Sequence, residues 1–110
     1  MIYKKEKFNI TVSGTTGAGV STKVYGRIEQ MIITPVDSSG VLVSAASWDC
    51  SITDKDGDQI DSYTTETGIL NNRTHLPTGF DTSEALKFTF TNITQTPDTM
   101  KVILKIFEKP

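Results

Sequence analysis

The chain has 110 residues, a formal net charge of −2 and 36% hydrophobic residues. This length fits one domain, and the lean apolar content favours a thin two-layer core. Because the net charge is small, the sequence shows no basic footprint for nucleic acid. The only local excess of positive charge, Lys4, Lys5 and Lys7, predicts a solvated tail, with contact to an acidic neighbour as the alternative.

The N-terminus has no apolar segment behind its charges, so we expect no signal peptide. No run approaches the ~18 apolar residues of a membrane helix, so no membrane partner is expected. The single cysteine, Cys50, excludes an internal disulfide and is predicted to be a buried structural thiol. A chain without disulfides fits folding in a reducing cytosol.

The first segment alternates, with Phe8 and Ile10 on one face and polar residues on the other, which predicts a half-buried strand. Three glycines within 13–19 then predict a flexible connection. Residues 1–19 are therefore either the first strand of the domain or an N-terminal arm on a Gly-rich hinge, and 20–110 are the β-sandwich domain.

Residues 20–36 predict a long strand that is apolar on both faces, with Ile28 and Ile32 pointing one way and Met31 and Ile33 the other. Both of its faces should therefore be covered. Turn residues at 37–40 end the strand, and 41–46 fits either a short strand or an extended loop.

A hairpin is predicted over 47–63, where Trp48, Cys50 and Ile52 face inward and an Asp-Gly pair at Gly57 makes the turn. Residues 64–83 lack periodicity, which indicates one long loop that is functional or packed against something. Four apolar residues in this loop could pin it to the sandwich or to a partner: Ile69, Leu70, Leu76 and Phe80.

The C-terminal strand pair has the clearest alternation and is predicted to be a hairpin, with one strand over 86–90, a turn at 95–98 and a second strand over 102–107. In the last strand, Ile103 and Phe107 lie opposite the main apolar face and need cover from a second element or subunit. The patterns together predict an all-β fold: a single antiparallel β-sandwich or jelly-roll-like domain of six to eight strands.

Three features could carry chemistry, and each has a simpler interpretation. Asp54, Asp56 and Asp58 lack the spacing of an EF-hand, so a hairpin turn is favoured over another oxygen-ligand cation site. His75 is the only histidine, and with Cys50 it falls short of a zinc site or a catalytic triad. We therefore predict no enzyme, and no catalytic, cofactor-binding or metal site.

The order of segments resembles that of small structural proteins of tailed bacteriophages. The resemblance covers residues 25–107 and rests on four parts. They are a strand opening with Gly26-Arg27-Ile28, the 47–62 hairpin, a crossover ending in Leu76-Pro77-Thr78-Gly79, and the two C-terminal strands.

The resemblance implies a virion subunit made in the bacterial host cytoplasm. Such a subunit is expected to be a capsid decoration or cement protein that binds the major capsid protein or other virion subunits, forms a homo-oligomer and needs no cofactor. The alternatives are a tail or baseplate component, and a carbohydrate- or peptide-binding sandwich that uses Trp48 and Tyr63. The candidate interface residues are Phe8, Ile10, Met31, Ile33, Ile69, Leu70, Phe80, Ile103 and Phe107.

Overall fold

The computed structural model describes residues 2–21, 26–72, 81–82 and 85–108. This part of the chain is all-β and folds as an antiparallel β-sandwich, as the alternation predicts. Its strands are β1 (Ile2–Thr11), β2 (Gly17–Val20), β3 (Gly26–Val36), β4 (Ser47–Thr53), β5 (Gln59–Thr67), β6 (Leu70–Asn72), β7 (Asp81–Thr82), β8 (Lys87–Thr91) and β9 (Thr99–Glu108).

Two antiparallel sheets form the layers. Sheet I has the order β1-β9-β3-β6, and the two-residue β7 also pairs with β3. Sheet II has the order β2-β8-β4-β5. Four of the connections that change sheet, β1–β2, β3–β4, β5–β6 and β8–β9, lie at one end of the sandwich. Backbone hydrogen bonds join these connections, including Val12 N–H to Asp98 O at 2.9 Å and Ile93 N–H to Thr15 O at 3.0 Å.

The core lies between the inner faces of the two sheets. Trp48 and Phe90 meet edge to face with ring centroids 5.6 Å apart, and the Trp48 indole N–H donates to the Gly68 carbonyl at 3.1 Å. Burying large apolar side chains in this way is the main stabilising term of a small domain. The fully buried side chains include Ile10, Ile28, Met31, Ile33, Trp48, Ile52, Leu86, Phe88, Phe90, Met100 and Leu104.

The β4–β5 hairpin forms as predicted. Ser51 lies opposite Ser62, and Trp48, Cys50 and Ile52 are buried. Gly57 adopts a φ of 86° in the turn, a conformation that glycine tolerates without strain.

The prediction that the two C-terminal strands pair with each other is wrong. β8 pairs with β2 and β4 in sheet II, whereas β9 pairs with β1 and β3 in sheet I. Residues 92–98 therefore cross between the sheets rather than form a hairpin turn. Alternation shows which face of a strand is apolar. It does not show whether two strands with inward apolar faces are paired in one sheet or lie in opposite sheets of the sandwich.

The predicted phase of β3 is also wrong, because a β-bulge separates Ile28 from Gln30 in its pairing with β9. The extra residue, Glu29, reverses the alternation. Ile28 and Ile33 consequently share the inner face with Met31, and Ile32 turns outward.

The predicted loop over 64–83 contains regular structure in its described part, since β5 continues to Thr67 and β6 follows at Leu70. The chain turns between them at Gly68, whose φ is 66°. Leu76 falls in the stretch outside the described residues.

The glycines of 13–19 serve a turn and a strand rather than a flexible connection. Gly14 has a φ of 65° in a turn closed by Ser13 and Thr16, and β2 begins at Gly17. A Cβ on Gly19 would lie 2.7 Å from Cγ1 of Ile10. Because Gly19 has no side chain, Ile10 can occupy this part of the core.

Candidate interaction surface

Three of the candidate interface residues belong to the core. Ile10, Met31 and Ile33 are at most 1% exposed, so the prediction that they contact a partner is wrong. The cause is the packing of sheet II against the inner face of sheet I, to which the alternation beyond the bulge directs Met31 and Ile33.

Two further candidates, Phe8 and Leu70, are half-buried and pack against the core. The Phe8 ring meets Phe88 edge to face at 5.4 Å. Ile69 is 50% exposed beside the β5–β6 corner, and Phe80 lies outside the described residues.

The remaining candidates, Ile103 and Phe107, are half-buried on the outer face of sheet I. In the β1–β9 register, Ile103 lies opposite Lys7, and Lys105 lies opposite Lys5. Directly opposed residues of an antiparallel pair project from the same face. These lysines therefore flank the outward apolar side chains of β9.

The third strand of sheet I completes this face. Ile32 lies opposite Ile103, Arg27 lies opposite Phe107, and the buried Gln30 lies opposite Lys105. The Gln30 side-chain amide donates to Oδ1 of Asn71 at 2.6 Å. Lys101 lies opposite Thr34 on one side and Asn9 on the other. We call this surface the cationic face and define it by Lys5, Lys7, Arg27, Lys101 and Lys105 around Ile32 and Ile103.

The lysines of the cationic face have no ion-pair partner among the described residues, whereas its arginine has acidic neighbours. Glu29 Oε1 lies 3.9 Å from Arg27 Nη1, and Asp81 of β7 is paired with Arg27 across the sheet. Like charges directly opposite each other, such as Lys5 and Lys105, oppose strand pairing. The opposed lysines are therefore present at some cost to the pairing of β1 with β9.

The outer face of sheet II has a different composition. We call it the hydroxyl face and define it by Ser51, Thr53, Ser62, Thr89 and Thr91, which project beside Asp49 and Lys87 according to the strand registers. The Asp49 carboxylate accepts the Thr65 backbone N–H at 2.7 Å and the Asn92 side-chain amide at 2.8 Å. These hydrogen bonds lower the pKa of Asp49 and fasten the edge strand β5 to β4.

The acidic turn between β4 and β5 is closed by one of its own carboxylates. Oδ1 of Asp54 accepts backbone N–H groups from Asp56 at 2.9 Å and from Asp58 at 3.0 Å. Residues 54–58 therefore form a hairpin turn, the interpretation favoured from the sequence. Across the described residues, no group of three His, Cys, Asp or Glu side chains could hold a metal ion, and His75 lies outside them.

Cys50 occupies the core, where burial and the nearby Asp61 raise the pKa of its thiol to about 12. A thiol that stays protonated at neutral pH is a poor nucleophile, which fits the predicted structural role. Trp48 and Tyr63 are also buried, so neither ring is available to line a sugar or peptide groove.

No protein-family model matches the sequence, and neither does any curated protein. None of the described residues belongs to a helix that could span a membrane.

The cationic face was missed at the level of sequence because its residues are far apart in the chain. Lys5 and Lys7 lie in the first strand, and Lys101 and Lys105 lie in the last one. The sequence does place two lysines on the polar face of the first strand and two on that of the last strand. These four lysines form one surface only because the two strands pair.

Proposed function

We propose that this protein is a structural subunit of a tailed-phage virion, and specifically a capsid decoration or cement protein. The resemblance over 25–107 supports the virion assignment. The observation that carries an assembly role is the cationic face, whose charged rim and apolar centre suit contact with another protein.

Contact would be made by outward side chains on a rigid sandwich rather than by a detachable arm. β1 pairs with β9 along ten residues, from Ile2 opposite Glu108 to Thr11 opposite Thr99. Deleting β1 would remove Phe8 from its contact with Phe88 and expose the edge of β9, so point substitutions on β1 are the informative variants.

The test is the composition and structure of purified particles of the phage that encodes the chain. Mass spectrometry should detect the protein, and a cryo-EM map should place the sandwich on the outside of the head. Density in the tail or baseplate would replace the decoration role with that alternative. Absence of the protein from particles would contradict the proposal.

A sharper test uses particles that lack the protein, to which purified variants are added back. Lys7→Glu and Lys101→Glu should weaken binding at least tenfold if the cationic face makes the contact. Lys87→Glu, on the hydroxyl face, is the matched control and should bind like the unmodified protein.

A further inference from the structure

The charge of this chain is divided between the cationic face and the rest of the molecule. Five of the 11 Lys and Arg residues belong to the cationic face, where Glu29 and Asp81 neighbour Arg27 in the register, so the rest of the sequence holds six basic and 11 acidic residues. A net charge of −2 therefore hides two surfaces of opposite sign. A protein divided in this way is complementary to itself.

Among the described residues, the most acidic exposed segment is the turn at 54–58, which has three aspartates and one lysine, Lys55. Asp56 and Asp58 are exposed there, while Asp54 holds the turn in shape through two backbone hydrogen bonds. The turn therefore presents two carboxylates on a short, ordered protrusion, which loses little conformational entropy on docking.

One molecule cannot bring these two surfaces together. The acidic turn joins β4 and β5 in sheet II, whereas the cationic face is the outer side of sheet I and is directed away from sheet II. Each surface is thus left to a second molecule, and the contact joins two different surfaces. Contacts of this kind build rings or filaments rather than closed two-fold dimers.

We propose that the cationic face docks the acidic 54–58 turn of a second copy of this chain. Asp56 and Asp58 of one copy approach the lysines of the next, and Ile32 and Ile103 supply an apolar centre that the docked turn shields from water. The like-charge pair Lys5–Lys105 gains a counter-charge on docking. The inference concerns the isolated chain, so its outcome does not depend on whether the protein belongs to a virion.

A second copy suits the face better than nucleic acid does. The molecule carries a net negative charge, and the centre of the face is aliphatic, whereas single-strand binders stack bases on aromatic side chains. Binding of an oligonucleotide is therefore one of the outcomes that the experiment must separate.

The experiment is sedimentation velocity over a range of protein concentrations, at about 0.05 M salt and at about 1 M salt, where the Debye length falls to about 3 Å. We expect the unmodified chain to associate at low salt and to dissociate at high salt. A face variant, Lys7→Glu with Lys105→Glu, and a turn variant, Asp56→Lys with Asp58→Lys, should each be monomeric. Near-UV circular dichroism of the buried Trp48 checks that both variants are folded.

Sedimentation of a mixture of the two variants tests whether the face of one copy binds the turn of another. The turn variant retains the native cationic face and the face variant retains the native acidic turn, so the mixture should associate although neither component does. Lys87→Glu, on the hydroxyl face, should associate like the unmodified chain.

Three results would overturn the proposal. They are an unmodified chain that stays monomeric at low salt, folded variants that still associate singly, and a mixture that remains monomeric. Tighter binding of a single-stranded oligonucleotide than of a second copy, measured by fluorescence anisotropy and lost in the face variant, would replace it with a nucleic-acid site.

Discussion

The cationic face and the hydroxyl face are generated by the same alternation of strand residues, yet they use charge differently. On the hydroxyl face, Asp49 is bound to a backbone N–H and a side-chain amide, so its charge stabilises the sheet. On the cationic face, Lys5 and Lys105 are opposed across paired strands, so their charges work against it. The two faces therefore differ in whether their charges support or oppose the pairing of their strands.

The comparison assumes that the inner faces hold the fold while the outer faces are free to vary. Phe88 and Thr89 test this directly, because they are neighbours on β8 that project to opposite sides. Phe88 is fully buried, so Phe88→Ala should lower the free energy of unfolding by about 3–5 kcal/mol. Thr89→Ala should change it by no more than about 0.5 kcal/mol. Urea denaturation measures both, and similar losses would show that the hydroxyl face is structural.

The placement of the two faces also depends on the β1–β2 connection, where the chain passes from sheet I to sheet II. Ile10 occupies the space beside Gly19 at that corner, so Gly19→Val should overpack it and cost about 1–3 kcal/mol. Ala18→Val, whose side chain is exposed, is the matched control and should be close to neutral. An equally small effect at Gly19 would restore the prediction of a flexible hinge.

A smaller effect of opposite sign is expected on the cationic face. Lys105→Glu turns the like-charge pair with Lys5 into an opposite-charge pair, which should stabilise the fold by about 0.2–1 kcal/mol. The same change should weaken self-association. Lys87→Glu, which lies opposite Thr53, should do neither. Thermal denaturation at low salt measures the first effect, and a loss of stability in Lys105→Glu would show that the lysines support the sheet.

Features set by neighbouring residues in the chain could be predicted from the sequence, whereas features set by the pairing of distant strands could not. The β4–β5 hairpin and the inward positions of Trp48, Cys50 and Ile52 follow from local alternation and an Asp-Gly turn, and the structure confirms them. The sandwich follows from the number and spacing of such strands.

What failed needed information about distant partners. The pairing of β8 and β9 was wrong because alternation does not identify a neighbouring strand, and the phase of β3 was wrong because nothing in the sequence marks the bulge beside Glu29. The cationic face depends on pairing between the first and last strands. Until that pairing is known, an outward lysine on a strand predicts only a solvated side chain.

The Asp49 carboxylate on the hydroxyl face is expected to stabilise the fold through its charge. Hydrogen bonds lower the pKa of Asp49 in the folded state, so its stabilisation is present above the pKa of an unfolded aspartate, about 3.9. That stabilisation is lost as the pH falls through the lower folded-state value. Asp49→Asn should therefore be less stable than the unmodified chain at pH 7, because an amide cannot accept both hydrogen bonds.

At a pH well below the folded-state value the gap between the two proteins should close, since the protonated carboxyl has lost the same advantage. Urea midpoints measured at both pH values give the comparison, and Asp58→Asn in the exposed turn is the control that should show no gap at either. A gap at Asp49 that is unchanged by acid would mean that side-chain shape rather than charge stabilises this site. The contrast between a bound charge on one face and unbalanced charges on the other would then rest on the cationic face alone.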